Sequence, residues 1–270
     1  MSGFMRARSA TATGAALVLG VTALSLPAAG ARAADGAWTV SAGGEYSSGD
    51  YGASSSTTIL YLPFSAQYET DRYRFKVTVP IIRVEGPPGV VRDIGSVRPR
   101  GTPASTTSTT NTGLGDVMLQ GSMNVYSADM RRTLVDITGK VKLGTADENK
   151  NLGTGENDYF MQVDGYKTIE RTTWLGTLGY ALMGDPPGIN FKNVPYLSVG
   201  ASYRVQPDLS VGGMYYTRDP VIAGGYRQEE LTGFMTRRLD RQRKVQVYAL
   251  LGLASGSPDY GMGAIFSYRF

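Results

Sequence analysis

The last eleven residues of the chain, Tyr260-Gly-Met-Gly-Ala-Ile-Phe-Ser-Tyr-Arg-Phe270, alternate between two kinds of side chain. Every second residue from Tyr260 to Phe270 is apolar or aromatic, and the residues between them are small or polar, apart from Ile265. An alternation of period two predicts a β-strand with one apolar face. The sequence therefore predicts a sheet whose final strand keeps its apolar face up to the last residue.

The N-terminus predicts a signal peptide over residues 1–33. Arg6 and Arg8 precede an apolar run from Ala15 to Leu26, and Ala31-Arg32-Ala33 supplies small residues at the cleavage position. The run is shorter than the ~20 residues of a membrane-spanning helix, although an uncleaved anchor is the alternative. Removal of the three arginines with this leader leaves 24 basic and 23 acidic residues, a net charge of +1. This balance gives no support to nucleic-acid binding.

The remaining segment, residues 34–270, alternates in the same way and predicts about twelve strands of ~10 residues. The predicted strands are 38–46, 57–68, 73–84, 114–126, 133–144, 158–168, 173–183, 195–205, 209–218, 227–238, 244–254 and 260–270. Short and long connections alternate between them, as they do in bacterial outer-membrane barrels.

The fold class predicted from these features is all-β, a transmembrane antiparallel up-and-down β-barrel in the bacterial outer membrane. A barrel in lipid has no free sheet edge, so the final strand should pair with the strand that begins near Trp38. A soluble β-sandwich shows the same alternation. Aromatic residues near the strand ends, the leader and the terminal Phe270 favour the barrel.

Charged residues fall on the polar face of the predicted strands, where they would line the lumen. The predicted lumen-lining residues are Arg74, Lys76, Asp116, Asp136, Lys140, Lys142, Asp164, Arg204, Glu230 and Arg238. The same face carries Glu45, Lys244 and Arg269. Such charges either brace the interior as ion pairs or select permeants by charge.

The chain contains no His and no Cys, which excludes catalysis by a Ser-His pair or by a Cys nucleophile. Asp136 and Asp164 could form a carboxylate pair of the kind that cleaves glycosides, but the neighbouring lysines favour ion pairing. The loop between Lys142 and Asp158 contains oxygen ligands suited to calcium, although its spacing does not fit an EF-hand and turn chemistry explains most of it. We therefore predict no catalytic site, no cofactor and no metal.

The longest predicted connection spans residues 85–113 and is rich in Pro, Gly, Ser and Thr. This composition is not expected to bury apolar surface, and it predicts a mobile segment that either folds over the pore or extends outside it. Arg92, Arg98 and Arg100 in this loop could contact lipopolysaccharide phosphates or an anionic permeant.

Three short motifs between residues 113 and 167 suggest a family. They are Gly113-Leu-Gly-Asp116, Val141-Lys-Leu-Gly-Thr145 and Leu152-Gly-Thr-Gly155, the last followed by Asp158-Tyr159. Their order resembles the family of transporter-like outer-membrane barrels labelled "MetA-pathway of phenol degradation". The second motif departs from the family pattern, which usually reads Leu-Pro-Thr-Gly, because this chain continues with Ala146.

This resemblance implies passive uptake of a small, often aromatic or hydrophobic, solute and brings no catalytic residues. Access for such a solute is expected near Phe160, Phe191 or Tyr216. The alternative is a structural or surface-interaction barrel with an occluded lumen. The expected location is the cell outer membrane. The expected partners are membrane lipid, lipopolysaccharide, a small-molecule permeant and the barrel-assembly machinery, which would bind the C-terminal strand ending in Phe270.

Overall fold

The computed structural model describes residues 36–53, 55–92, 95–96, 107–130 and 132–270. The predicted signal peptide, together with Arg98 and Arg100, lies outside the described residues. Among the residues that are described, no helix is both long enough and apolar enough to cross a bilayer. The described chain forms fifteen strands and one 3₁₀ turn, Glu148–Lys150.

Twelve of these strands match the predicted positions closely, and the three others, all between residues 90 and 114, were not predicted as separate strands. The strands are β1 (Ala37–Gly49), β2 (Thr57–Glu69), β3 (Tyr73–Gly86), β4 (Val90–Val91), β5 (Gly95–Ser96), β6 (Thr109–Leu114), β7 (Val117–Ala128), β8 (Thr133–Leu143), β9 (Asp158–Ile169), β10 (Thr172–Leu182), β11 (Val194–Gln206), β12 (Leu209–Arg218), β13 (Gln228–Arg238), β14 (Arg243–Gly252) and β15 (Tyr260–Arg269).

These strands close into an antiparallel barrel with twelve strand positions. Consecutive strands pair along the chain, and β1 pairs with β15 from Thr39↔Arg269 to Ser48↔Tyr260. This pairing is the closure that the C-terminal alternation predicts. One of these positions is occupied by two strands in succession. β7 pairs with the first half of β3, from Tyr73 to Thr78, and β6 pairs with its second half, from Ile81 to Gly86. The strands β4 and β5 form a separate hairpin within the connection that follows β3.

The barrel has two different ends. The short connections after β2, β7, β9, β11 and β13 lie at one end, called here the turn end, together with the start of β1 and Phe270. The longer connections lie at the opposite, loop end. The alternation of short and long connections seen in the sequence is therefore confirmed.

The outer surface of the barrel is apolar, as the alternation predicts. Along β3, for example, Phe75, Val77 and Ile81 are exposed, while Arg74 and Lys76 between them point inward. Exposed aromatic residues form two girdles near the strand ends, as at the interfaces of a membrane. The turn-end girdle includes Trp38, Tyr73, Tyr126, Trp174 and Tyr203, and the loop-end girdle includes Tyr46, Tyr159, Tyr180 and Tyr260.

Part of the longest connection differs from its prediction. Val90 and Val91 are buried in two apolar clusters inside the loop end of the barrel. Residues 109–114 form β6 instead of loop, because their backbone continues the pairing of β3. β6 could not be predicted from the sequence, because its Thr-rich segment is polar on both faces and shows no alternation. The prediction that this connection cannot bury apolar surface was wrong for residues 90–92.

Candidate functional site

The barrel interior gathers most of the charged residues singled out by the sequence. Asp136, Lys140, Lys142, Asp164 and Glu230 are buried, and Arg74, Lys76 and Asp116 are partly buried. Arg204 and Arg238 are exposed and lie near the ends of β11 and β13, at the turn end. The interior groups form separate networks at different heights of the lumen.

The network at the loop end is an ion triad around Lys142. Its Nζ lies 2.5 Å from Oδ2 of Asp158 and 3.5 Å from Oδ2 of Asp116. The remaining carboxylate oxygens bind the connecting loops: Ala146 N donates to Oδ1 of Asp116 (2.9 Å), and Gly184 N donates to Oδ1 of Asp158 (2.9 Å). The triad therefore fastens two long loops to the barrel wall, and its two carboxylates neutralise the charge of Lys142 with one negative charge left over.

This triad explains the motifs between residues 113 and 159. Asp116 sits at the break between β6 and β7, and a side chain on Gly153 would collide with it. Thr145 bridges the same break, because its Oγ1 accepts a hydrogen bond from Val117 N (2.9 Å) and lies 3.2 Å from Gly115 O. Asp158 pairs with Lys142, so it is not free to serve the calcium site considered from the sequence. Among the residues described, no group of three or more acidic side chains could hold a metal ion.

The nearby turn confirms the turn chemistry predicted for this loop. Asp147 caps the 3₁₀ turn by accepting a hydrogen bond from Asn149 N (3.1 Å), and its carboxylate pairs with Lys150 at 3.2 Å. The hydrogen bond from Lys150 lowers the pKa of Asp147.

A second network holds Arg92 inside the barrel. Its Nη2 donates to Oε1 of Glu45 at 3.0 Å, and its guanidinium carbon lies 3.3 Å from the ring centroid of Tyr61. Tyr248 OH donates to the other Glu45 oxygen at 2.6 Å. Because Arg92 is buried inside the barrel and paired with Glu45, it is not placed to contact lipopolysaccharide phosphates, one of the two partners expected for it. We call this group, Glu45, Tyr61, Arg92 and Tyr248, the loop latch.

The middle of the lumen is organised around Asp164 on β9. Its Oδ1 accepts hydrogen bonds from Gln162 Nε2 (2.6 Å) and Thr177 Oγ1 (2.7 Å), and its Oδ2 accepts one from Thr138 Oγ1 (2.8 Å). Tyr196 OH donates to Gln162 Oε1 at 2.9 Å and extends the network toward the next strand. The two oxygens of Asp164 are thus occupied by neutral donors of the barrel wall.

Asp136 lies beside Asp164 on the adjacent strand, as the sequence predicts. Its Oδ1 accepts a hydrogen bond from Asn124 Nδ2 (2.7 Å), and its Oδ2 lies 3.7 Å from Arg74 Nη2. Each carboxylate has its own partners, an arrangement that favours the structural interpretation over acid–base catalysis.

A small cavity of about 70 Å³ lies against these networks. This volume is below the ~300–1,000 Å³ of sites for drug-sized ligands, so the cavity suits only a small solute. Arg74, Lys140, Asp164 and several neutral polar groups supply its polar lining. Its remaining walls are aromatic or apolar and include Tyr166, Leu175, Tyr196, Met214 and Tyr216. Of these wall residues, only Tyr216 was singled out from the sequence.

The aromatic side of the cavity continues into an apolar cluster at the loop end. Phe160, Phe191 and Tyr216, the three residues considered for solute access, belong to the same buried cluster. Val221 and Ile222 from the loop after β12 complete it. The Tyr196 ring lies 6.4 Å from that of Phe160 and 6.3 Å from that of Tyr216.

The sequence missed the loop latch and the inward tyrosines for different reasons. Tyr61, Tyr196 and Tyr248 occupy alternate positions in predicted strands, so their inward direction could have been read from the register. Arg92 lies in an irregular segment with no periodicity, and its ion pair with Glu45 depends on how the whole connection folds.

The barrel is similar in fold to solved outer-membrane channels. The COG4313 outer membrane channel from Pseudomonas putida F1 aligns with a TM-score of 0.64 and 14% identity, over 87% of this chain and 96% of that one. The KdgM porin aligns with a TM-score of 0.52 and 9% identity (86% and 99% covered), and the NanC porin with 0.51 and 10% (85% and 98% covered).

No protein-family profile and no curated relative matches the sequence. The similarity to these channels at low identity is therefore one of fold, and the motifs between residues 113 and 167 stay a resemblance. The fold is a closed, antiparallel, porin-like β-barrel of the outer-membrane type.

Proposed function

We propose that this protein is a passive outer-membrane channel for a small organic solute. The observation that carries the proposal is the cavity in the middle of the barrel, which combines ionic groups with aromatic walls. The apolar outer surface and its two aromatic girdles support a location in the lipid bilayer. The names of the similar structures, which are channels and porins, agree with this class of function.

The solute would be small and partly aromatic or hydrophobic. Phe160, Phe191 and Tyr216 offer apolar contacts at the loop end, and the cavity below offers both rings and charges. In this proposal the lumen-lining charges, Lys140 and Arg74 among them, shape the permeation path. Lys142 has a different role, because its triad balances its charge and fastens the loops.

The proposed partners follow from the outer surface. Membrane lipid would cover the apolar strands, and lipopolysaccharide would meet the loop end. The barrel-assembly machinery would bind β15, where the exposed Phe270 ring packs against Tyr268 at 5.0 Å.

Recording in planar bilayers tests the channel. Purified protein should give stepwise conductance, and Lys140→Glu should shift the ion selectivity toward cations, because a charge reversal in the lumen changes the local potential. The matched control Lys192→Glu changes an exposed loop residue and should leave the selectivity unchanged. Folded protein that gives no conductance steps would contradict the proposal.

A barrel with an occluded lumen is the second candidate, and the loop latch favours it. Arg92 and Val91 occupy the loop end of the interior, where they narrow any path. Under this alternative the loops carry the function. A silent barrel that still binds vesicles and resists denaturation by detergent would support it.

A further inference from the structure

Several cations in the middle of the lumen lie near one residue, Lys76 on β3. In the pairing register, Lys76 lies opposite Gln120, and Gln120 lies opposite Lys140, so the two ammonium groups flank one glutamine. Arg74 precedes Lys76 by two residues and points to the same side. The charge of Lys244 on β14 also acts on Lys76.

Lys76 differs from its neighbours in having no partner among the residues that the structure describes. It makes no hydrogen bond or ion pair with any residue that the structure describes. The nearby carboxylates are engaged elsewhere. Asp136 and Glu69 lie beside Arg74 at 3.7 and 3.9 Å. Asp164 accepts three hydrogen bonds from neutral groups, and its charge acts on Lys140. An ammonium group in a confined lumen is stabilised by a counter-charge, which Lys76 lacks.

The local charge balance points to a single anion. Arg74, Lys76, Lys140 and Lys244 supply four positive charges, and Glu69, Asp136 and Asp164 supply three negative ones. One carboxylate from a solute would balance the group. The positive potential continues toward the turn end, because Arg238 and Arg269 lie close enough to Lys244 for their charges to act on it.

The aromatic walls of the cavity supply the second half of the site. Lys140 and Arg74 line the same cavity as Tyr166, Tyr196 and Tyr216. A planar ring can pack among these tyrosines while its carboxylate reaches the cations. A simple aliphatic anion would satisfy the cations and leave the tyrosines without contacts.

We propose that this cavity binds a small aromatic carboxylate, with the carboxylate against Lys140 and Arg74 and the ring among the lumen tyrosines. Lys76 does not line the cavity, but it lies opposite Gln120, which does, so its positive charge acts on the same part of the lumen. The inference rests on the proposed channel and names the class of its solute. The subsite then favours a monoanionic aromatic acid over a neutral aromatic compound of the same size.

Calorimetric titration of the full-length protein in detergent tests the subsite without requiring transport. Benzoate should bind about tenfold or more tightly than benzyl alcohol, because a hydrogen bond to a charged group is stronger than one to a neutral group. Acetate should bind more weakly than benzoate, because it lacks the ring. Equal affinities for benzoate and benzyl alcohol would overturn the proposal.

Two variants connect the binding to the cation group. Lys76→Gln and Lys140→Gln should each lower the affinity for benzoate about tenfold and leave that for benzyl alcohol unchanged. Lys192→Gln removes the same charge from an exposed loop and should bind benzoate normally. Unchanged benzoate binding by folded Lys76→Gln, with folding checked by heat-modified migration on gels, would also overturn the subsite.

Conductance measurements distinguish a failure of the aromatic-acid subsite from a failure of the proposed channel. Stepwise conductance without a preference for benzoate supports the channel and overturns the aromatic-acid subsite. Benzoate binding by a barrel that never conducts supports the subsite and contradicts the channel.

Discussion

Individual glycines set the shape of the lumen by making room for inward aromatic rings. Gly179 on β10 is paired with Tyr196 on β11, and the tyrosine ring occupies the space that a side chain at Gly179 would need. The same arrangement recurs where Phe234 covers Gly212 on the neighbouring strand. A ring that lies flat against the wall leaves the centre of the barrel open.

Gly179→Ala should displace the Tyr196 ring and lower the free energy of unfolding by about 1–3 kcal/mol, the usual cost of overpacking. Gly176→Ala is the matched control on the same strand, because a methyl group there meets no atom within 4 Å. Urea titration of each variant in lipid vesicles measures the difference. Equal stabilities would show that Tyr196 does not need the glycine.

Asp259, in the loop before β15, predicts a pH dependence of stability. Burial, together with the charge of Asp50, raises the pKa of Asp259 to about 6, above its unfolded value of ~3.9. The folded state therefore holds the proton more tightly than the unfolded state does. The contribution of protonated Asp259 to the free energy of unfolding is complete below pH ~4 and is lost as the pH rises through about 6.

Asp259→Asn should reduce the loss of stability between about pH 4 and pH 6, because an amide does not ionise. Unfolding midpoints measured between about pH 4 and pH 7 compare the variant with the parent protein. Asp71→Asn changes an exposed carboxylate at the turn end and should keep the slope of the parent. A slope that survives in Asp259→Asn would assign the pH dependence to other groups.

At the scale of elements, the connection after β3 has the largest effect on the lumen. Its hairpin, β4 and β5, places Val90, Val91 and Arg92 inside the loop end, where the loop latch holds them. Removal of one partner from a buried ion pair costs about 3–5 kcal/mol. The position of the hairpin should therefore depend strongly on the latch.

Arg92→Gln should release the hairpin from Glu45 and raise the single-channel conductance. Arg83→Gln is the matched control, because Arg83 is an exposed arginine at the same end of the barrel, 3.6 Å from Glu85. Recordings of both variants under the same salt conditions test the latch. Equal conductance of Arg92→Gln and the parent protein would mean that this hairpin does not limit the path.

At the scale of the whole molecule, the alternation predicted the strands, and the aromatic strand ends, the leader and the terminal Phe270 favoured a barrel over a sandwich. Each of the twelve predicted strands has one apolar face, and the closure between β1 and β15 followed from the need to leave no edge in lipid. The interior was only partly predictable. Period two gives the direction of Lys76 or Asp164, but the pairing of Arg92 with Glu45 joins residues distant in sequence through an irregular loop.

A charge placed on the outer face of the barrel should destabilise it even though that face is exposed. Leu178→Arg places a charge on an outward position that is 63% exposed, yet it should destabilise the folded barrel by about 2–4 kcal/mol if that position faces the bilayer core. Met130→Arg, in a short turn, should have little effect. Folding free energies measured in vesicles compare the two. A soluble protein would tolerate both changes.

The central claim is that lipid covers the apolar outer face of the barrel, and the two tryptophans of the chain test it without any mutation. Trp38 and Trp174 are 53% and 56% exposed on the outer face. In vesicles, brominated lipid chains should quench their fluorescence, and iodide in the surrounding water should have little effect. Strong quenching by iodide, with none by brominated lipid, would contradict the account.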